Sequence, residues 1–440
     1  MNSIHQISFF DHFEDFKKSD QLEHLKKVLD SLSDNTIVQE LKMRRGNGRN
    51  KFPVDYLWRV FISFFILGHN TMMDHLREIA RNTELRWILG GDLCELVPTP
   101  SSMSRFQKKL EEYGPGLREL FGELREALGT QLPELGEGVA MHSNILGSKA
   151  NRQTDKPRDG RRDVDATKTA KTYSGMTKEG KYWEKTEYFF GYKVHLIVDV
   201  VYELPLYYRV TKASDSDVKI GEEMIKSYIE KGTVSKRTKF ASADRGYDSG
   251  SFIKYLVNQG ITTYVDIRMM WQDEKERLYS REYENLYYKE KGEMICYCPV
   301  SGKPRPLIYD GYESSRKCQR RKCPAKAYGL HCKGEDKCKI PKVLRIKVED
   351  DPRRFPPVAR ESYKFKKMYK TRTAVERVNS RLDSGLGLDM KKVRSLKRQE
   401  LFVSMGLIVM LTSALVQVRQ REKFKDEETF KRKLRSLKTA

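Results

Sequence analysis

The sequence predicts an α/β protein, with a mixed sheet flanked by helices, a helical domain ahead of it and a cysteine-bearing insertion within it. Three observations lead there. Residues 1–130 carry apolar rows at helical spacing and no long strand pattern. In residues 137–270 strand patterns come first and then alternate with helices, the order expected of a mixed sheet. Six of the seven cysteines fall within residues 296–338, a segment poor in helical periodicity.

In chain order, Asp20–Leu32, Pro53–Leu67, Met73–Ile88, Ser104–Tyr113 and Gly116–Leu128 read as amphipathic or buried helices. Thr99-Pro100-Ser101-Ser102 is a helix start, with Ser101 or Ser102 as its cap. This domain, 1–130, suits either DNA contact or a scaffold. The core's first part is 137–270. Gly138–Ile145 is its first strand, and Tyr188–Asp199 with Leu206–Thr211 forms a hairpin around Tyr202-Glu203-Leu204-Pro205. Helix Lys219–Glu230, strand Thr238–Ala243, helix Ser251–Asn258 and strand Thr262–Asp266 come next. The polar, Gly- and Lys-rich stretch Asn151–Lys185 reads as a long loop. Residues 271–350 form the insertion, irregular or β in character, and 351–418 complete the core. A charged tail, 419–440, is expected to fray, and Cys94 reads as a core residue.

At 440 residues, with 84 Lys and Arg against 61 Asp and Glu, the chain has a formal charge of +23. That excess favours a polyanionic partner, with nucleic acid the usual one. The excess is clustered, since residues 353–398 hold fifteen Lys or Arg and four Asp or Glu. The N-terminus shows no basic region followed by an apolar run, so no signal peptide is expected. Leu401–Val418 is nearly long enough to cross a bilayer, but Ser404, Thr412, Ser413 and Gln417 interrupt it. It reads as a buried core helix, which makes the chain soluble and cytoplasmic, with no membrane partner.

The stretch Tyr369–Asp383 carries the chemistry. At about 100° per residue, Tyr369, Arg372, Glu376, Asn379 and Asp383 share a polar arc opposite Ala374, Val375, Val378 and Leu382. One acid among cationic and hydrogen-bonding groups on a rigid element suits a metal-assisted phosphate site; a solvated helix face is the alternative. Asp244 ends the strand Thr238–Ala243 just before a glycine turn, a position that can hold a metal above a sheet or cap the next helix.

Three motifs in order, Phe190-Gly191-Tyr192-Lys193-Val194-His195 with Tyr202-Glu203-Leu204-Pro205, then Ala243-Asp244-Arg245-Gly246-Tyr247-Asp248, then Thr373-Ala374-Val375-Glu376-Arg377-Val378-Asn379, resemble those of DDE transposases of bacterial insertion sequences. The resemblance runs from about Pro53 to about Val418 and is densest in Arg161–Thr211, Ala243–Ile267 and Asp351–Val418. It implies an RNase H-like core, double-stranded DNA as partner (transposon ends and target), a dimer on DNA, and a nucleoid-associated bacterial protein. It also implies Mg²⁺ (or Mn²⁺) held by Asp244, the second acid, and Glu376, the third. Arg372, Tyr369, Lys193, Arg245 and Asn379 then become candidates for contacts to DNA phosphate. A related Tyr-x2-Arg-x3-Glu-x6-Lys signature is matched by Tyr369, Arg372 and Glu376, with Asp383 in the Lys slot. The first acid belongs on the first strand at position 142, where this chain has His142. A neutral imidazole cannot bridge two ions and prefers softer metals than Mg²⁺. Glu137, Asp163 and Asp165 are the nearby acids that could substitute, although Glu137 faces the other side of the strand.

The cysteines are spaced as Cys296-x-Cys298, Cys318-x4-Cys323 and Cys332-x5-Cys338, with His331 adjacent. Four of Cys298, Cys318, Cys323, Cys332 and Cys338 could close a tetrahedral Zn²⁺ site, against the alternative of reduced structural cysteines. Three readings result: a DNA transposase impaired at its first acid, an inactive transposase-derived DNA-binding protein, or a basic RNA-associated protein with a zinc module. The ordered Asp244 and Glu376 motifs speak against the third, and His142 separates the first two.

Overall fold

The computed structural model describes residues 19–32, 35–45, 51–90, 97–150, 163–177, 182–271, 273, 275–388, 391 and 393–436. Cys94, most of the stretch before Asp163, and the last four residues lie outside them. The chain divides into two compact units.

One unit gathers residues 1–124, 381–393 and 397–440. Its helices are α1 (Asp20–Ser31), α2 (Asn35–Arg45), α3 (Val54–Ile66), α4 (Met72–Arg81), α5 (Thr83–Gly90), α6 (Pro100–Glu112) and the start of α7 (Gly114–Gln131), with the late helices below. Helix α3 is buried on almost every side, which is why its sequence lacks a polar face. The single helix expected over 73–88 is two. Asn82 leaves helical geometry and its Oδ1 accepts from Leu85 N at 2.9 Å, capping α5. Likewise Thr99, not Ser101 or Ser102, caps α6, accepting from Ser102 N at 3.2 Å with Pro100 in the first helical position.

Helix α13 (Leu396–Arg419) is long and apolar enough to cross a membrane, but 94% of its most apolar window is buried, as expected of a core helix. Phe402 meets Phe61, Phe64 and Phe65 of α3 edge to face, with centroids 6.0, 6.2 and 5.5 Å away. The tail does not fray throughout. Helix α14 (Glu427–Arg435) is capped by Asp426 and buries Phe430 and Leu434.

His75, wholly buried in this unit, shares its Nε2 between Ser63 Oγ (2.9 Å) and Val60 O (3.0 Å). Burial pulls its pKa down to about 3 from 6.5. An unfolded chain therefore takes up a proton below pH 6.5 that the folded chain refuses until about pH 3. Stability should fall with pH through that window by up to about 1.4 kcal/mol per unit from this residue. Urea unfolding at pH 6 and pH 5 should show a shallower loss for His75→Phe than for the native chain; equal losses would exclude His75 as the source.

The other unit, residues 125–380 and 394–396, holds the sheet. Its strands are β1 (Gly138–Gly147), β2 (Thr167–Met176), β3 (Tyr182–Asp199), β4 (Pro205–Lys212), β5 (Phe240–Ala243) and β6 (Thr262–Val265), with helices α8 (Asp217–Glu230) and α9 (Gly250–Asn258). The order β4–β3–β1–β5–β6, antiparallel up to β1 and parallel beyond it, is the RNase H-like arrangement. Part of the stretch expected as a loop is instead a strand. Strand β2 pairs with residues 182–191 of β3, and Thr172 meets Thr186 across the pair at 3.0 Å. Its threonines and lysines lack the apolar alternation of a half-buried strand, so no period-2 signal betrays it. Gly191, in the first motif, is required by packing: a Cβ there would collide with the Leu146 carbonyl.

The insertion is β in character, as anticipated. Strands β7 (Arg277–Ser280), β8 (Tyr283–Tyr288), β9 (Met294–Tyr297) and β10 (Pro304–Pro306) form one antiparallel sheet. Strands β11 (Ile308–Glu313), β12 (Cys318–Lys322) and β13 (Val343–Lys347) form another, with the short helix α10 (Pro324–Tyr328) between the last two. A small apolar core of Leu286, Met294, Leu307, Ile340, Ile346 and Phe355 joins them. Helices α11 (Tyr363–Tyr369) and α12 (Thr373–Ser380) then return the chain to the sheet.

Candidate active site

The parallel register of β1 and β5 sets Met141 beside Ala243, so the next residues, His142 and Asp244, emerge side by side. His142 Nδ1 lies 3.0 Å from Asp244 Oδ2. Asp244 Oδ1 accepts from Gly246 N at 2.8 Å and so caps the turn Arg245–Tyr247. The capping reading of this acid is therefore realised. Burial works to raise the Asp244 carboxyl, but the hydrogen bond and charge of His142, then Gly246 N–H and the Arg372 charge, outweigh it and hold the pKa below the ordinary range.

Helix α12 buries Ala374, Val375 and Val378 and packs on β1 and β3, as its amphipathic pattern predicts. That leaves Glu376 at the surface, its Oε1 held by Arg372 Nη1 at 2.5 Å. Arg372 also lies over the Tyr369 ring, 5.8 Å from its centroid, and Tyr369 stacks on Phe365 with rings 13° from parallel. Tyr369, Arg372 and Glu376 thus follow one line. The arc stops there. Asn379 turns inward, buried, with no hydrogen-bond partner for its Oδ1 among the described residues. Asp383 falls in a π-helical turn, Arg381–Gly385, whose wider winding breaks the 100° progression.

Lys193 also departs from its expected place. It pairs with Ile145, so it shares the face of Met141 and Ser143, which α8 covers, whereas His142 points to the opposite face. Its Nζ is bonded to Asp217 Oδ1 and Asp215 O, both at 3.0 Å, so this buried cation supports the start of α8. Arg245 remains beside Asp244 with a largely exposed guanidinium anchored by Asp266 Oδ2 at 2.7 Å.

The nearby acids named as possible substitutes at position 142 are each engaged elsewhere. Glu137 pairs with Lys239 at 2.7 Å. Asp163 is buried and accepts from Tyr192 Oη (2.5 Å), Ser148 Oγ (2.6 Å) and Ser395 N (3.2 Å). Asp165 accepts from Leu396 N at 3.1 Å.

Two supports of the site have roles that the sequence analysis does not assign. Glu203, in the β3–β4 turn with φ +56°, accepts from Arg377 Nε at 2.8 Å and ties that turn to the residue after Glu376. Asp199, fully buried at the end of β3, accepts from the backbone of Gly136 (2.8 Å), Val201 (2.8 Å) and Tyr202 (2.6 Å). In the second motif, Asp248 is also structural: its buried Oδ2 accepts from Arg353 Nε at 2.6 Å and Arg268 N at 2.8 Å.

Among the described residues no three His, Cys, Asp or Glu side chains form a group that could hold a metal ion. The three residues that the family motifs single out, His142, Asp244 and Glu376, are each engaged. Both Asp244 oxygens have partners, Glu376 is paired with Arg372, and position 142 offers an imidazole. These residues do not fit a carboxylate-bridged two-ion centre.

Residues 156–412 match the Transposase DDE domain family, and residues 10–109 match the Transposase domain family DUF772. The first match spans more than half of the 440 residues, and the chain belongs to the DDE transposases, a family of DNA-cleaving enzymes of insertion-sequence type. No curated protein matches the chain significantly. Among solved structures, a piggyBac transposase synaptic complex with hairpin DNA aligns at a TM-score of 0.40 and 12% identity, covering 96% of this chain and 80% of that one, a likeness too distant to bear on function.

Proposed function

We propose that this chain is an insertion-sequence transposase that engages double-stranded DNA at its element's ends, and that its metal-dependent strand cleavage and transfer are impaired in this copy. The observation that carries the second half is the His142–Asp244 hydrogen bond, 3.0 Å long, where the family's chemistry places two carboxylates. Family membership and the +23 charge support the first half. Asp244 and Glu376 are the surviving catalytic acids in this reading, with Mg²⁺ or Mn²⁺ the implied ion, and Arg372, Tyr369 and Arg245 form the phosphate-facing rim. Two protomers would act together on paired ends.

Binding is the direct test. In an electrophoretic shift assay the native chain should retard DNA carrying the element's terminal sequences, in preference to unrelated DNA of the same length. Between 50 and 200 mM salt the affinity should drop steeply, by about a thousandfold if some six phosphates are contacted. Equal retention of unrelated DNA, or no salt dependence, would remove the end-binding half of the reading. The alternative, a DNA-binding protein that has lost all catalysis, differs only in the cleavage arm considered in the Discussion.

A further inference from the structure

The six cysteines of residues 296–338 separate into two kinds in three dimensions. Cys318, at the start of β12, donates to Arg316 O at 3.1 Å and stands apart. Cys296, Cys298, Cys323, Cys332 and Cys338 instead line one cavity of about 10 Å³, although up to 41 residues separate them in sequence (338 minus 297). All are reduced thiols. A space of that size takes nothing larger than a single ion or water.

The walls are built as thiolate sites are. Cys298 opens the turn Cys298-Pro299-Val300-Ser301-Gly302-Lys303, closed by Gly302 N to Cys298 O at 2.9 Å and Cys298 N to Lys303 O at 3.1 Å. That turn aims Ser301 N at Cys298 Sγ, 3.5 Å away. Asn285 Nδ2 points at Cys338 Sγ, also at 3.5 Å. Donors directed at sulfur stabilise its charged form, the form that ligates metal. Cys296 differs. It packs in the apolar cluster with Leu286, Met294 and Leu307. His331 does not line the cavity.

We propose that Cys298, Cys323, Cys332 and Cys338 form a tetrahedral structural zinc site that clips the β9–β10 turn, the start of α10 and the loop ahead of β13 together. Four thiolates, once drawn around one ion, would select a zinc-like ion over the hard ions of phosphate chemistry. No three of these sulfurs already stand in joint reach of one ion. The thiols close inward on binding, each releasing its proton to solvent and forming one sulfur–zinc bond without any change of oxidation state. The insertion's own apolar core is small, so such a clip would supply order that packing does not.

The test uses the full chain, purified without metal-affinity steps from cells supplied with zinc, and elemental analysis by plasma mass spectrometry. The native chain should carry about one zinc per molecule. Cys298→Ser and Cys332→Ser should lose nearly all of it, whereas Cys296→Ser and Cys318→Ser should keep it. Native protein without zinc, iron in its place, or equal loss from Cys296→Ser or Cys318→Ser would overturn the assignment. Should the ligand variants fail to fold, the native chain still decides. Chelation should expose four additional thiols to alkylation, mapped by mass spectrometry to these four positions; labelling at other cysteines, or none, would refute the site.

Discussion

His142→Asp should restore strand cleavage at the element's ends, raising its rate in Mg²⁺ by two to three orders of magnitude over the native chain. The size comes from the charge removed. A metal-bridging carboxylate contributes several kcal/mol of transition-state stabilisation, and each ~1.4 kcal/mol is about tenfold in rate. The geometry favours the rescue. The position is on a rigid, buried strand whose pairing with β5 is already in register, and Asp244 lies 3.0 Å from the ring that would be replaced. The assay compares both proteins on end DNA, in Mg²⁺ and in Mn²⁺, with binding measured alongside. Cleavage by the native chain equal to that of His142→Asp would show that position 142 is not the first acid. Cleavage by neither, with end binding intact, would favour the purely DNA-binding reading. Native activity confined to Mn²⁺ would fit an imidazole serving a softer ion poorly.

Asp199→Ala should destabilise the protein by about 3–6 kcal/mol, a large part of the 5–15 kcal/mol typical of a domain. Three backbone N–H groups converge on this carboxylate within 2.6–2.8 Å. Removing their acceptor leaves buried donors unsatisfied at about 1–3 kcal/mol each, partly relieved by water entering the gap. Burial pushes the carboxyl up to about 7, against the pull of those same donors. Asp199→Asn, which keeps one acceptor oxygen and the shape, should lose roughly half as much. Denaturant unfolding followed by circular dichroism measures both. A midpoint for Asp199→Ala within error of the native chain would mean that the turn repacks around water instead. Because Gly136 precedes β1, the damage should reach the strand that presents His142.

Much of this architecture is readable from residue patterns. The core strands and helices of 137–270 fall within a few residues of their expected places, because each buries an apolar set at a clear period. Asp244 and Glu376 are legible for a different reason: each sits in a motif whose neighbours, such as Tyr247 and Val375, are held by packing. The features that escape are non-local or carry no pattern. The exposed ladder of β2 has no apolar alternation. The inward turn of Asn379 and the π turn after it depend on how the chain leaves α12. Lys193 is a phosphate contact by motif alone, yet strand alternation puts it on the face opposite His142. Sequence spacing offers five cysteines for four ligand places, and only their positions in space remove Cys318 and bring Cys296 to the same wall.

The contact between His142 and Asp244 also bears on durability. Acids crowded at the end of a sheet repel one another, a frustration that an active enzyme tolerates because it needs the site open and charged. Here an imidazole answers one carboxylate and an arginine answers the other, so both charges are met. On the proposed reading a copy of this kind would give up turnover for robustness, and a His142→Asp enzyme that cuts DNA should be the more fragile molecule. An element carrying it would persist by being held at its ends rather than by moving.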